Sequence, residues 1–227
     1  MDYMSKIQRL VVTLVLVFNI GVINAQNKED HLEPVGGFFD VYDFQFEYYS
    51  KVREILLNGL SDKPEVRFQV MPSFTPENVL DIEFDRGKDV YYMVYHIAEQ
   101  MIWHNKQSES IEIERFRIVI DKESVKLIKS LFSNAIAQVR FTPLVVEGGK
   151  IIVGTDGVDY YFTVNEHECR IKSGKVWSPK RGTKMDRLVA IGNMLIELAK
   201  SDARVVKFDD ALQKEINELI NELEQEC

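Results

Sequence analysis

The chain has 227 residues, 45% of them hydrophobic, and 36 acidic against 28 basic side chains give it a net charge of −8. That length and apolar content suffice for one domain with a real core. The acidic balance argues against a protein that holds nucleic acid through a basic surface.

Lys6 and Arg9 precede an apolar run, Leu10 to Phe18, that Thr13 interrupts once. Asn19 and Gly21 end the run, and Ala25 offers a small residue for cleavage before Gln26. This layout predicts a cleaved secretory signal over 1–25 and an exported protein, periplasmic or secreted. A clean run of nine residues falls short of the about 20 that a spanning helix needs. No second long apolar stretch follows, so no membrane span is expected after cleavage. Residues 26–37 are polar, carry Pro34, Gly36 and Gly37, and read as a mobile leader. Residues 38–227 read as a single domain.

Within it, Tyr42, Phe46, Tyr49, Val52 and Leu56 have helical spacing, and Gly59 can close that helix in a left-handed conformation. Val66, Phe68 and Val70 alternate with polar residues and predict a half-buried strand. Val79 to Phe84 predicts a second, and Val90 to Ile97, rich in Tyr and β-branched residues, a third. Ile111 and Ile113, then Phe116, Ile118 and Ile120, predict a fourth, with a phase shift that fits a bulge. Asp121 is the expected N-cap of a helix that places Val125, Ile128, Leu131, Phe132, Ala135, Ile136 and Val139 on one face. Glycine turns at Gly148-Gly149 and Asp156-Gly157 separate short strands, Tyr160 to Val164 among them. Ser173-Gly174 reads as a break before Val176-Trp177. Met185, Leu188, Ile191, Leu195 and Leu198 mark another helix, and Leu212, Ile216, Leu219 and Leu223 a last one. Glu222, Glu224 and Glu226 lie at the negative end of its dipole, so its last turn is expected to fray. The pattern predicts an α+β fold: an antiparallel β-sheet of two meanders, with helices packed on one face and a C-terminal helix.

The search for chemistry is mostly negative. The chain has no Gly-x-Ser-x-Gly elbow, no His-Glu-x-x-His pair and no cofactor or nucleotide loop. Glu166-His167-Glu168-Cys169 offers ligand atoms without the converging spacing of a metal site. Asp156-Gly157-Val158-Asp159 lacks a calcium ligand ladder and reads as a turn. His96 shares a strand face with Val90, Tyr92 and Val94 and reads as a packed histidine. Cys169 and Cys227 are compatible with a bridge after export; two free thiols, or an intermolecular bridge through Cys227, are the alternatives.

The stretch Trp177-Ser178-Pro179-Lys180-Arg181-Gly182-Thr183-Lys184 leads into a helix. Free N–H groups at a helix start favour anions, and Lys180, Arg181 and Lys184 add positive charge. Trp177, Ser178, Lys180, Arg181 and Lys184, with Trp103, are therefore the candidate binding residues. The bland alternative is a solvated basic turn that starts the helix. Tyr91, Tyr92, Tyr160 and Tyr161 must point to opposite sheet faces in pairs. Either an aromatic row is exposed or both faces are covered.

Gly154-Thr155-Asp156-Gly157-Val158-Asp159-Tyr160-Tyr161-Phe162, Val176-Trp177-Ser178-Pro179 and Gly182-Thr183-Lys184 before Leu188-Val189-Ala190-Ile191 resemble a group of exported proteins from Bacteroidetes-type bacteria. Pro72-Ser73-Phe74-Thr75-Pro76-Glu77 and Ile102-Trp103 share in it, and it spans most of residues 66–200. The resemblance implies a periplasmic or secreted setting; it brings no activity, so no functional residues are carried over. The expected role is a binding or interaction module of the cell envelope, with an envelope protein, peptide or glycan as partner. The Trp177–Lys184 turn and the acidic C-terminal helix are its candidate surfaces. The alternative is an envelope hydrolase with two carboxylates facing across a cleft.

Overall fold

The computed structural model describes residues 30–35, 43–105, 111–142, 146–147, 150–151, 156–166 and 170–225. The signal segment, Gly148-Gly149, His167, Cys169 and Cys227 lie outside the described residues. The elements in chain order are β1 (Glu33–Pro34), α1 (Asp43–Ile55), β2 (Val66–Pro72), β3 (Asn78–Asp85), β4 (Val90–Ala98), α2 (Ile102–Asn105) and β5 (Ile113–Ile120). They continue with α3 (Lys122–Ala137), β6 (Val146–Glu147), β7 (Lys150–Ile151), β8 (Val158–Asn165), β9 (Ile171–Trp177), α4 (Lys184–Ala199), β10 (Val205–Val206) and α5 (Asp210–Glu224). The main sheet has eight strands in the order β1-β9-β8-β2-β3-β4-β5-β10. All its pairings are antiparallel except β10 with β5. The α+β class expected from the sequence is what is observed. None of the described helices is long and apolar enough to cross a membrane.

Strands β2 to β5 run as a meander, β2–β3 and β3–β4 joined by short turns and β4–β5 by the longer segment that carries α2. The hairpin β8–β9 then adds to the free side of β2, with Phe68 opposite Phe162. Phe68, Phe162, Leu80, Met93, Tyr95, Ile118 and Ile120 point to one face and bury themselves under α3, α4 and α5. Asp121 caps α3 as expected, accepting the N–H groups of Glu123 and Ser124. Fully burying a large apolar side chain is worth about 1.5–3 kcal/mol, so this layer dominates stability.

The opposite face is covered too. Tyr48, Val52 and Leu56 pack on Met71, Val79, Ala98, Ile102 and Ile111 in a second apolar cluster. This settles several expectations. The buried stripe of α1 runs through Tyr48, Val52 and Leu56, whereas Phe46 and Tyr49 are 67% and 36% exposed. The phase shift in β5 is no bulge: the β4–β5 register is continuous from Ala98–Ile113 to Tyr91–Ile120. Ile113 serves the second cluster and Phe116, Ile118 and Ile120 the first, so the apolar pattern changes face along one regular strand. The tyrosine pairs divide in the same way. Tyr160 stacks on Phe68 at 6.0 Å, while the Tyr161 hydroxyl lies 3.1 Å from that of Tyr49.

Residues 30–35, read from the sequence as mobile leader, are built into the domain. Leu32 is fully buried, and β1 pairs with β9 at Lys175 and Gly174. Ser173-Gly174 is not a break but the middle of β9. A side chain at Gly174 would stand 2.8 Å from Val139 and 2.9 Å from Leu32. The glycine is what lets Leu32 reach the sheet. The C-terminal helix is also docked to its end: Leu223 is 1% exposed, its carbonyl accepts the Gln138 side-chain amide, and Arg187 neutralises Glu222 at 2.7 Å. These contacts override the unfavourable dipole and hold the last turn.

Candidate binding site

The anion site that the sequence offers at the start of α4 is filled from within. Asp30 accepts the N–H of Lys184 at 3.1 Å and that of Met185 at 2.9 Å. The Lys184 ammonium lies 3.9 Å from the same carboxylate. Thr183 caps the helix by accepting from Asp186 N–H, and Asp186 accepts the Gly182 N–H at 2.7 Å. The N–H groups that would greet a ligand already hold side-chain oxygens, as helix starts require.

Trp177 and Ser178 are architectural. Ser178 adopts φ +38° and closes the sheet end, donating N–H to Val158 O while its Oγ accepts Val158 N–H. A side chain at Gly157 would meet Ser178 Oγ at 2.4 Å and Trp177 Nε1 at 2.5 Å. Trp177 thus lies over a position kept bare for it. Lys180 and Arg181 stay exposed on the turn. Trp103 belongs to a different assembly. It follows β4 in the short helix α2 and meets Tyr48 edge-on at 4.9 Å. Glu77, fully buried, accepts from Tyr48 Oη at 2.8 Å, Ile102 N–H at 2.8 Å and Trp103 N–H at 3.2 Å. Burial, and then the Glu77 charge, push the Tyr48 hydroxyl far above its ordinary pKa.

A second fully buried carboxylate, Asp81, is gripped by Arg67 at 2.7 and 2.6 Å. Burial pushes its pKa up to about 6, with Arg67 pulling back. Arg67 also donates to Ser61 O, and Ser61 N–H donates to Glu83. His96 is the packed histidine expected: its Nδ1 lies 2.9 Å from Leu56 O, and burial lowers its pKa. Glu77 and Asp81 are therefore committed to holding loops on the second face. Among the described residues no three His, Cys, Asp or Glu side chains converge as a metal site.

An opening lined by charged side chains lies at the other end of the sheet from the Trp177 turn. It is a cleft of about 800 Å³ lined by Ser61, Lys63, Glu65, Phe84, Arg86, Lys129 and Asn165. Pro64-Glu65 leads into β2, Phe84 ends β3, Arg86 starts the following turn, Asn165 ends β8 and Lys129 reaches over from α3. Three basic side chains and one acid line it, and that acid, Glu65, is paired with Lys129, so these two charges offset each other. Asn165 is 8% exposed, and its Oδ1 is buried with no hydrogen-bond donor among the described residues. Such an oxygen costs about 1–3 kcal/mol unless something donates to it. Its backbone N–H is already used by Glu65 O.

Of the candidate residues, the structure brings Trp177 and Ser178 together as a sheet terminus and ties Lys184 to Asp30. It places Trp103 elsewhere and leaves Lys180 and Arg181 in solvent. Sequence reasoning passed over Lys63, Arg86, Lys129 and Asn165, which come from four separate segments with no shared spacing. No protein-family model, no curated protein and no solved structure matches the chain.

Proposed function

We propose that this protein is a binding module of the cell envelope that holds an anionic ligand in the cleft between Lys63, Arg86 and Lys129. The envelope setting rests on the export-type N-terminus. The carrying observation is that three basic side chains from separate segments line one cleft of about 800 Å³ in a protein whose net charge is −8. Clefts of about 300–1,000 Å³ with a few converging polar groups are the usual form of small-ligand sites. The acids nearby are occupied and do not oppose an anion fully: Glu65 by Lys129, Glu83 by Ser61 N–H, Glu166 by Lys172.

Titration with inorganic sulfate at constant ionic strength, followed by amide chemical shifts, tests this reading. The shifts should concentrate at residues 61–65, 84–86, 129 and 165. Shifts confined to residues 180–185, or none at all, would remove the cleft as the binding site.

A further inference from the structure

We infer that the outer edge of β5 is a docking site for an extended acidic segment of a partner protein, which adds to the sheet there as a further strand.

Three bonds tell which main-chain groups of β5 face outward. The N–H and C=O of one residue in an antiparallel strand point to the same side, and successive residues alternate. Glu99 N–H donates to Glu112 O, so the even-numbered residues of this stretch face β4. Asp121 N–H donates to Val206 O, and the Arg115 guanidinium turns back along its strand to donate to Ile113 O at 3.1 Å. The odd-numbered residues therefore face away from β4. On that side β10 pairs only with Val119 and Ile120. Among the described residues no strand pairs with Ile113 to Arg117 there. An open ladder of this kind is the template on which an extended peptide adds to a sheet. The opposite edge of the sheet ends in β1, where Pro34 has no N–H to give.

The side chains along the open stretch say what the added strand carries. Arg115 and Arg117 are both exposed and, two residues apart, share a sheet face. Arg117 lies 4.0 Å from the centre of the Tyr92 ring, and Arg115 spends one nitrogen on Ile113 O. Each keeps further N–H donors for a carboxylate. Phe116, between them, turns to the other face and packs half-buried against the core. Residues directly opposite across a ladder share a face and interact. The complement of Arg115, Phe116 and Arg117 is thus an acid, an apolar residue and an acid in succession.

A second copy of the chain does not meet that need. A two-fold axis through paired β5 strands sets one residue opposite itself. Centred on Glu114, Arg115 or Arg117, it sets that charge against its own copy. Centred on Phe116 it sets Arg115 against Arg117, and centred on Ile113 it sets Glu112 against Glu114. Like charges directly opposite destabilise a sheet, so every symmetric register across the stretch repels.

Amide hydrogen exchange of the purified full chain tests the inference with four end-blocked heptapeptides at one ionic strength. They are Thr-Val-Glu-Val-Glu-Val-Thr, the same peptide with Gln for both Glu, the same with Lys for both Glu, and the Glu peptide N-methylated on alternate residues to remove its ladder donors. In the free protein Arg115 and Arg117 amides should exchange fast, while those of Glu114 and Phe116 are protected by β4. The Glu peptide, at about ten times its Kd, should slow Arg115 and Arg117 by roughly tenfold. The Gln peptide should bind about fivefold more weakly, two exposed ion pairs being worth that much, and the Lys peptide more weakly again. Arg115→Gln with Arg117→Gln removes no buried group. A thermal melt shows that this variant folds, and in it the Glu and Gln peptides should bind alike. Equal binding of the Glu and Gln peptides to the wild type would overturn the acidic partner. Equal binding of the N-methylated peptide, or protection gained elsewhere than residues 113–117, would overturn strand addition at this edge. Protection of Arg115 and Arg117 that grows with protein concentration alone would replace the partner by a second copy. No binding by the Glu peptide would overturn the inference as a whole.

Discussion

Asp30→Ala tests whether the anion site at the start of α4 is real but internally filled. The substitution removes two bonds from N–H groups to a carboxylate, Lys184 at 3.1 Å and Met185 at 2.9 Å. A bond to a charged group is worth roughly 1.5–3 kcal/mol. The Asp30 side chain keeps 35% exposure, so solvent screening puts the pair at the low end, about 2 kcal/mol in all. For a domain of this size each kcal/mol moves Tm by about 2–4 °C. The expected loss is therefore roughly 4–8 °C, read by circular dichroism melting. The vacated N–H groups, with Lys184 alongside, should then accept an external anion. Sulfate should recover part of the loss in the variant beyond its general stabilising effect on the wild type. Asp30→Asn keeps an acceptor without the charge and should fall between the two. Equal melting temperatures, or identical sulfate responses in variant and wild type, would refute the view that Asp30 is an intramolecular ligand of this helix.

Gly157→Ala should displace Trp177, because the new Cβ would stand 2.4–2.7 Å from Ser178 Oγ and the indole. A red-shifted tryptophan emission in a Trp103→Phe background checks it, and an unchanged spectrum would contradict the close packing. Arg67→Met should cost about 3–5 kcal/mol in urea unfolding by stranding Asp81, while Arg67→Met with Asp81→Leu should recover most of it. The sign of the pH effect follows from Asp81, whose pKa rises from 3.8 to about 6 on burial. The folded state then binds the proton more tightly than the unfolded state. Its contribution to stability is greatest below pH 3.8 and declines as pH rises to about 6. Asp81→Asn should flatten that stretch of the stability curve.

Elements with one apolar face were legible from sequence. Asp121 with Val125, Ile128, Leu131, Phe132 and Ala135 marks α3 from its cap to its core stripe, since the 3.6-residue period and the N-cap agree. Elements that serve two faces were harder. In β5, Ile113 and Ile118 belong to different clusters, and a period-2 reading that assumes one buried face sees a bulge. In α1, two aromatic stripes run side by side, and spacing alone does not say that Tyr48 rather than Tyr49 goes inward. The docking of Leu32 depends on Gly174, a partner some 140 residues away. No local pattern reports that.

The same limit explains why the sequence points to the turn and the structure to the cleft. Lys180, Arg181 and Lys184 are neighbours along the chain, so their charge is visible at once. That visible charge is not a site: Asp30 takes the Lys184 end of it, and Lys180 and Arg181 stay in solvent. Lys63, Arg86 and Lys129 are strangers in sequence, brought together where β2 begins and β3 and β8 end. Their meeting place is also where the Asn165 oxygen is buried with no donor among the described residues. A stretch of basic residues measures composition, whereas an unsatisfied buried acceptor measures what the fold has not supplied. The turn's N–H groups are already held by Asp30 and Asp186, whereas the cleft gathers basic side chains from three separate segments.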